Sequence, residues 1–337
     1  MGLTIKEIAK LAGVSKSTVS RVINNSEHVS DEARKKVKEV VEKTGYVPSS
    51  IAKDLKNNQT DTIGVILPRI NTSTFSEAVE GMSKVLYQNG YNLLLANTRL
   101  NKEDELEYLR LLKRKRVSGI LFFATEITTQ HQEVLEKLNI PVIILGQDVS
   151  NLLELPSVIQ DDFQAAKDIV NYLIAHGHKR IAYIGVTEDD VAVGQLRKNG
   201  YQRALAENNL EVKADYFYQG GFDFSTDSGY QGMSRIIADS ERLPTAVFAV
   251  TDRLAIGAMK CLREQGYRVP DDISVVGIGD TEMSSLITPE LTTIRYDQFK
   301  TGELASGLLL DLIAGQDVTV KSVMDYSIIE RESVKKI

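Results

Sequence analysis

The chain has 337 residues, of which 42% are hydrophobic and 26% charged, the proportions of a soluble globular protein with two or three domains. Its single cysteine, Cys261, excludes a disulfide framework and a Cys-rich zinc site, fits a reducing compartment, and reads as a buried small apolar residue on a helix. No apolar run approaches the roughly twenty residues of a membrane span, and the N-terminus has no apolar signal core, so a cytoplasmic location without a membrane partner is expected.

The net charge of −6 hides an asymmetry: residues 1–60 hold 11 Lys+Arg against 7 Asp+Glu, whereas the remainder holds 29 against 39. A small basic head on an acidic body is the pattern of a polyanion-binding module joined to something else.

The head reads as all-helical. Thr4 and Glu7 form a capping-box pair ahead of Ile5, Ile8, Ala9 and Leu11-Ala12, and Gly13 ends that helix. Ser15 caps a second helix, in which Val19, Val22 and Ile23 line one side. Ser15, Lys16, Ser17, Thr18, Ser20 and Arg21 occupy the other. Ser30 caps a third helix with Ala33, Val37, Val40 and Val41 as its stripe, closed by Gly45. Pro48 precedes a short helical turn and polar linker, 49–60. Helix, tight Gly turn, helix is the helix-turn-helix arrangement, whose second helix enters the DNA major groove. Short hydroxyls permit close approach to phosphate, and Lys and Arg reach phosphate or guanine. The competing reading is a solvated Ser/Thr-rich helix that touches nothing, at a cost in helix propensity.

From Thr62 the texture changes to short apolar runs: 62–68, 91–97, 119–124, 142–146, 180–186, 216–221, 246–251 and 274–279. Each is separated from the next by a helical pattern. Strands apolar on both sides predict two doubly wound parallel-sheet α/β subdomains, about 61–160 and 163–290, covered on both faces. Later crossovers span about 291–325, and the strand-like run 326–333 follows. The cleft between the lobes, at the carboxyl ends of strands, is the natural ligand site. There is no glycine-rich phosphate fingerprint, GxSxG elbow, HExxH helix or paired-His spacing, so neither an enzyme, a cofactor nor a metal is expected. The His176-Gly177-His178 sequence reads as a helix end, favoured by the macrodipole, ahead of a metal site. No leucine heptads follow residue 333, so a homodimer is expected and no tail-made tetramer.

TIKEIAKLAGVSKSTVSRVINN followed by YVPSSIAKDL closely resembles the headpiece of LacI/GalR-family transcriptional regulators. The phrases HGHKRIAYIG, RKNGYQRAL, PTAVFAVTDRLAIGAM, VPDDISVVGIGD and TPELTTI resemble that family's core in the same order. The resemblance implies a helix-turn-helix headpiece (1–47), a hinge helix and linker (48–60) and a two-lobed, periplasmic-binding-protein-like core for effector binding and dimerisation (61–337). It places Lys16, Ser17 and Arg21 on base edges, with phosphate contact alone as the other reading for Lys16. It places Thr4, Ser15, Thr18, Ser20, Asn24 and Ser30 on phosphates. His28 stands equally as an exposed loop residue or a DNA contact. Ala52 and Leu55 match the minor-groove residues of the hinge, Leu55 as a wedge between base steps or, alternatively, as a contact to the next domain. Asp54 departs from the family pattern by bringing a negative charge towards phosphates.

For the core, the resemblance implies that Arg197 pairs with sugar hydroxyls, although without it a surface Arg beside Lys198 would be the reading. Phe224 matches a sugar-stacking position and Phe75 lies on the opposite lobe; either is equally readable as core. Arg69, Asn71, Gln147, Thr251, Asp252 and Tyr296 complete the candidate site, Asp252 alternatively as a helix cap. Gly279 stands where relatives carry an Asp. That loses one hydroxyl-binding carboxylate, gains room, and leaves Asp280 as the remaining candidate. The run GIGDTEMSSLITPELTTI, with PRINT, FATEIT and VIILGQ, is similar to Gram-positive regulators of sucrose or other disaccharide use. The implied function is a repressor of a carbohydrate operon, bound to a pseudo-palindromic operator and released by a sugar, a disaccharide or its phosphate. A corepressor-dependent regulator and a solute-binding module remain as alternatives.

Overall fold

A computed structural model describes residues 3–23, 28–46 and 60–337. The predicted contacts of Asn24, Ala52 and Leu55, the place of Asp54 and the hinge helix lie outside the described residues. The chain divides into two compact units, 1–60 and 61–337.

The first unit contains helices α1 (Ile5–Ala12), α2 (Lys16–Ile23) and α3 (Asp31–Thr44). Local chemistry sets their ends. Thr4 and Glu7 close a reciprocal capping box on α1, and Gly13 terminates it at φ 65°, a left-handed conformation suited to glycine. The Ser30 hydroxyl caps α3 and Gly45 ends it at φ 61°. Ile8, Ala9, Ala12, Val19, Val22 and Val37 form the buried core. Leu11, expected within the apolar stripe, is 58% exposed; only one side of so short a helix faces its two neighbours.

The second unit holds two six-stranded sheets. The first, in order β11-β5-β4-β3-β1-β2, comprises β1 (Thr60–Leu67), β2 (Asn92–Asn97), β3 (Val117–Phe123), β4 (Val142–Leu145), β5 (Ser157–Gln160) and β11 (Lys321–Met324). Helices α4 (Ser73–Gln88), α5 (Lys102–Arg114) and α6 (Thr129–Glu136) connect its strands. The second, in order β12-β10-β9-β8-β6-β7, comprises β6 (Ile181–Gly185), β7 (Phe217–Gln219), β8 (Ala246–Ala249), β9 (Ser274–Ile278), β10 (Thr292–Tyr296) and β12 (Tyr326–Ile329). Its helices are α7 (Asp162–Ala175), α8 (Arg197–Glu207), α9 (Thr226–Asp239), α10 (Asp252–Glu264) and the short α11 (Glu282–Leu286). The pairs β1–β2, β3–β4, β4–β5, β5–β11, β6–β7, β6–β8, β8–β9 and β9–β10 are parallel, and β10 pairs with β12 antiparallel.

Two features depart from the sequence reading. The second lobe continues past residue 290, because β10 and β12 belong to its sheet. Helix α12 (Gln298–Ile313) and β11 return to the first lobe, within the span expected to cross over. There α12 packs on α4 so closely that a Cβ on Gly302 would meet the Ala78 carbonyl oxygen at 2.0 Å, and one on Gly81 the Phe299 oxygen at 2.1 Å. Finally, β2 is an edge strand, so Leu94 and Leu95 are 40% and 48% exposed where burial on both faces was expected. Cys261 is buried on α10, and burial pushes its thiol up.

Candidate functional site

In the first unit, the Gly13 turn sets α2 beside α1. Burial of Val19 and Val22 fixes which side of α2 faces the core. Lys16, Ser17 and Arg21 are then exposed, and Thr18 and Ser20 half-buried. The Ser15 hydroxyl accepts from the Thr18 amide at 3.1 Å and bonds the hydroxyls of Ser17 at 2.7 Å and Thr18 at 2.8 Å. This cluster satisfies the first turn of α2 while leaving its outer surface polar and short, the shape a recognition helix needs to approach phosphate. Thr4 donates its amide and hydroxyl to Glu7 at 2.7 and 2.8 Å, and its backbone hydrogen bond holds the Glu7 carboxyl below its ordinary value. Thr4 and Ser30 are thus helix caps as well as phosphate candidates, and His28 is exposed.

In the second unit, a cavity of about 400 Å³ opens at the carboxyl ends of strands from both sheets. Arg69, Asn71 and Phe75 approach it from the first lobe; Arg197, Phe224, Thr251, Asp252 and Tyr296 approach it from the second. An adjoining pocket of about 130 Å³ contains Gln147, whose amide donates to the Thr125 carbonyl at 2.9 Å. Phe75 lines the cavity while packing edge-to-face on Phe123 at 5.2 Å.

Arg197 is not a surface residue. A π-helical turn, Val191–Leu196, capped by Asp190, delivers it to the start of α8. Its Nε and Nη2 donate to Asp162 at 2.7 and 2.6 Å, and its Nη1 donates to the Val250 carbonyl. Tyr296 donates to the same Asp162 oxygen at 3.3 Å. Burial pushes the Asp162 carboxyl up while Arg197 opposes the shift. The Arg197 guanidinium, although penalised by burial, is held above its ordinary value mainly by Asp162.

Two carboxylates differ from expectation. Asp252 lines the cavity, but its oxygens accept from Ser284 Oγ at 2.6 Å, the Thr281 amide at 3.0 Å and Thr293 Oγ1. Burial pushes its carboxyl up against those donors. The cap on α10 is Thr251, not Asp252. Asp280 does not line the cavity: it pairs with Arg295 and Arg331. Gly279 does line it, at φ 145°, a backbone conformation that side chains avoid.

The sequence reading missed Asp162, Asp190, Gln298 and Arg253. Arg253 was findable, since it follows Thr251-Asp252 at the end of β8. Asp162 was not, because its partner lies 35 residues away. Elsewhere, His176 Nδ1 contacts the Tyr172 carbonyl at 2.8 Å and His178 Nε2 the Lys335 carbonyl at 3.1 Å. Among the described residues no cluster has the make-up of a metal site, and no helix is long and apolar enough to cross a membrane.

A helix-turn-helix unit and a two-lobed unit with an interlobe cavity together define a ligand-responsive DNA-binding regulator. Residues 4–49 match the family model for bacterial regulatory proteins of the lacI family, and residues 170–334 match that for a periplasmic binding protein-like domain. The chain is 35% identical over 336 residues to the HTH-type transcriptional repressor PurR of Mannheimia succiniciproducens, covering 99% of each. It superposes on the lac repressor dimer bound to operator and the anti-inducer ONPF with a TM-score of 0.89 and 30% identity, covering 99% of this chain and 100% of that one. Against the transcriptional regulator CelR–cellobiose complex the TM-score is 0.74 at 29% identity, with 98% and 99% covered. The chain belongs to the LacI family: it is a DNA-binding transcriptional repressor and not an enzyme.

Proposed function

We propose that the chain acts in the cytoplasm as a homodimer on a pseudo-palindromic operator of a carbohydrate-utilisation operon. Lys16, Ser17 and Arg21 read bases, and Ser15, Thr18, Ser20 and the caps Thr4 and Ser30 hold phosphates. A small polar effector, a disaccharide or a sugar phosphate, binds between the lobes and lowers operator affinity. The observation that carries this reading is the interlobe cavity of about 400 Å³, walled by apolar and polar side chains from both lobes around Arg197. Its size lies in the range of about 300–1,000 Å³ usual for small-molecule sites. The similarity to a regulator in complex with cellobiose and to a repressor dimer on its operator supports the same division of labour.

Mechanistically, an effector that touches both lobes favours one lobe angle, and an operator that favours another is linked to it. A coupling of about 1–3 kcal/mol changes operator affinity some 5- to 150-fold. The test is a mobility shift on the DNA upstream of the gene, repeated with each compound that raises the melting temperature of the purified chain. Release of DNA by such a compound is the expected result. Tighter binding identifies a corepressor, and indifference to every stabilising compound refutes the linkage.

A further inference from the structure

We propose that the interlobe cleft takes a ligand bearing an oxyanion, a phosphate or carboxylate on a small polyol, held between Arg69 of the first lobe and Arg253 of the second. This rests on the reading of the cleft as the effector site and adds the charge of what enters it.

The hydrogen-bonding groups around the cavity are unevenly committed. Asp252 of the cavity wall already has donors in Ser284, Thr281 and Thr293, and in the adjoining pocket Asp162 has Arg197 and Tyr296 and Asp190 has the Val193 amide at 2.9 Å. All three nitrogens of Arg197 are engaged. Arg69 and Arg253 both line the cavity, and neither forms an ion pair with a carboxylate of the described residues. The Arg69 Nε is buried without an acceptor. Burial disfavours the Arg69 charge, and the nearby Arg253 charge adds to that effect, with Asp190 and Asp223 opposing. The acidic group at the rim, Glu282, is exposed to water. The cavity therefore offers cationic donors that lack a carboxylate partner, while its buried carboxylate, Asp252, is already taken by donors, and it favours a ligand that brings negatively charged oxygens.

Phe224 argues the same way. Its ring is the sugar-stacking candidate, yet the Arg69 guanidinium lies 3.9 Å from its centroid. A neutral ring has to displace that cation–π contact to reach the aromatic face. An oxyanion instead pairs with the guanidinium where it already sits, and brings the two lobes together through Arg69 and Arg253.

The test uses the full chain and calorimetric titration with matched ligands: sucrose against sucrose 6-phosphate, glucose against glucose 6-phosphate and glucuronate, and inorganic phosphate alone. The anionic member of at least one pair should bind about tenfold or more tightly than its neutral partner. Arg69→Gln and Arg253→Gln should each remove roughly that factor while changing the neutral partner less than about twofold, and Arg69→Lys should restore part of it. Preference for glucose 6-phosphate over glucuronate assigns the oxyanion as phosphate, and the reverse as carboxylate. Equal or tighter binding of the neutral members, unaffected by either arginine substitution, overturns the proposal, as does failure of every anion to bind. If neutral sugars bind and Ile256→Trp, which fills the cavity, abolishes that binding, the effector cleft stands and only the charge assignment falls. If binding survives Ile256→Trp, the cleft itself is not the effector site.

Discussion

Replacing Arg197 by Ala removes the counter-charge from a carboxylate with almost no access to water. Asp162 loses hydrogen bonds of 2.7 and 2.6 Å from that side chain and keeps only Tyr296 at 3.3 Å. The Val250 carbonyl, on a fully buried residue, loses its Arg197 donor as well. Stranding one member of a buried ion pair costs about 3–5 kcal/mol, which for a core of this size lowers the melting temperature by on the order of 10 °C. The loss should depend on pH in a definite sense. Without Arg197, burial pushes the folded-state carboxyl of Asp162 well above its unfolded value of about 3.9. The penalty is then complete above the folded pKa and fades as pH falls through it, because the folded state takes up a proton the unfolded state does not. Urea unfolding followed by circular dichroism should show a wild-type-to-variant gap that is smaller at pH 5 than at pH 7.5. Adding Asp162→Asn should recover part of the loss at pH 7.5. A gap below about 1 kcal/mol, or one equal at both pH values, would refute the burial of this pair as the wall of the cleft.

Two further outcomes follow from packing. Ile8 is fully buried in the core of the first unit, so Ile8→Ala should cost about 2–5 kcal/mol, close to the whole reserve of so small a core. Calorimetry should show the transition of the two-lobed unit unmoved while operator binding is lost. Gly302→Ala drives a methyl group against the Ala78 carbonyl at 2.0 Å, whereas Gly307 on the same helix has nothing within 4 Å. Gly302→Ala should destabilise by about 1–3 kcal/mol and Gly307→Ala should not, as read by denaturant midpoints; equal effects would contradict the close α4–α12 packing.

What was legible in the sequence is largely what acts over a few residues. Thr4 with Glu7, Ser15 with Thr18, Ser30 with Ala33 and the left-handed Gly13 are local hydrogen bonds and backbone choices, and the residue types announce them. The alternating apolar runs likewise carried the two-sheet architecture. Short elements were harder: the four residues of β5 are too few for a periodic signal, and with β5 went Asp162, which opens the following helix. The edge position of β2 is a property of strand order, invisible in the run that contains Leu94 and Leu95. At the cleft, position after the first strand placed Arg69, Asn71 and Phe75, and the family resemblance placed Phe224, on one cavity, but orientation depends on distant partners. Asp280 faces Arg295 and Arg331, Asp252 is taken by Ser284 and Thr293, and Phe224 is covered by Arg69.

The central claim, that the exposed side of α2 reads a specific DNA site, is tested most directly by fluorescence anisotropy of the full chain. The titration uses the pseudo-palindrome upstream of its gene and a scrambled duplex, each at two salt concentrations. Binding should favour the pseudo-palindrome by about a thousandfold or more and weaken steeply with salt on both duplexes. Arg21→Ala should lose about 1–3 kcal/mol on the pseudo-palindrome and little on the scrambled duplex. Equal affinity for the two duplexes, with Arg21→Ala indistinguishable from the parent chain, would contradict it.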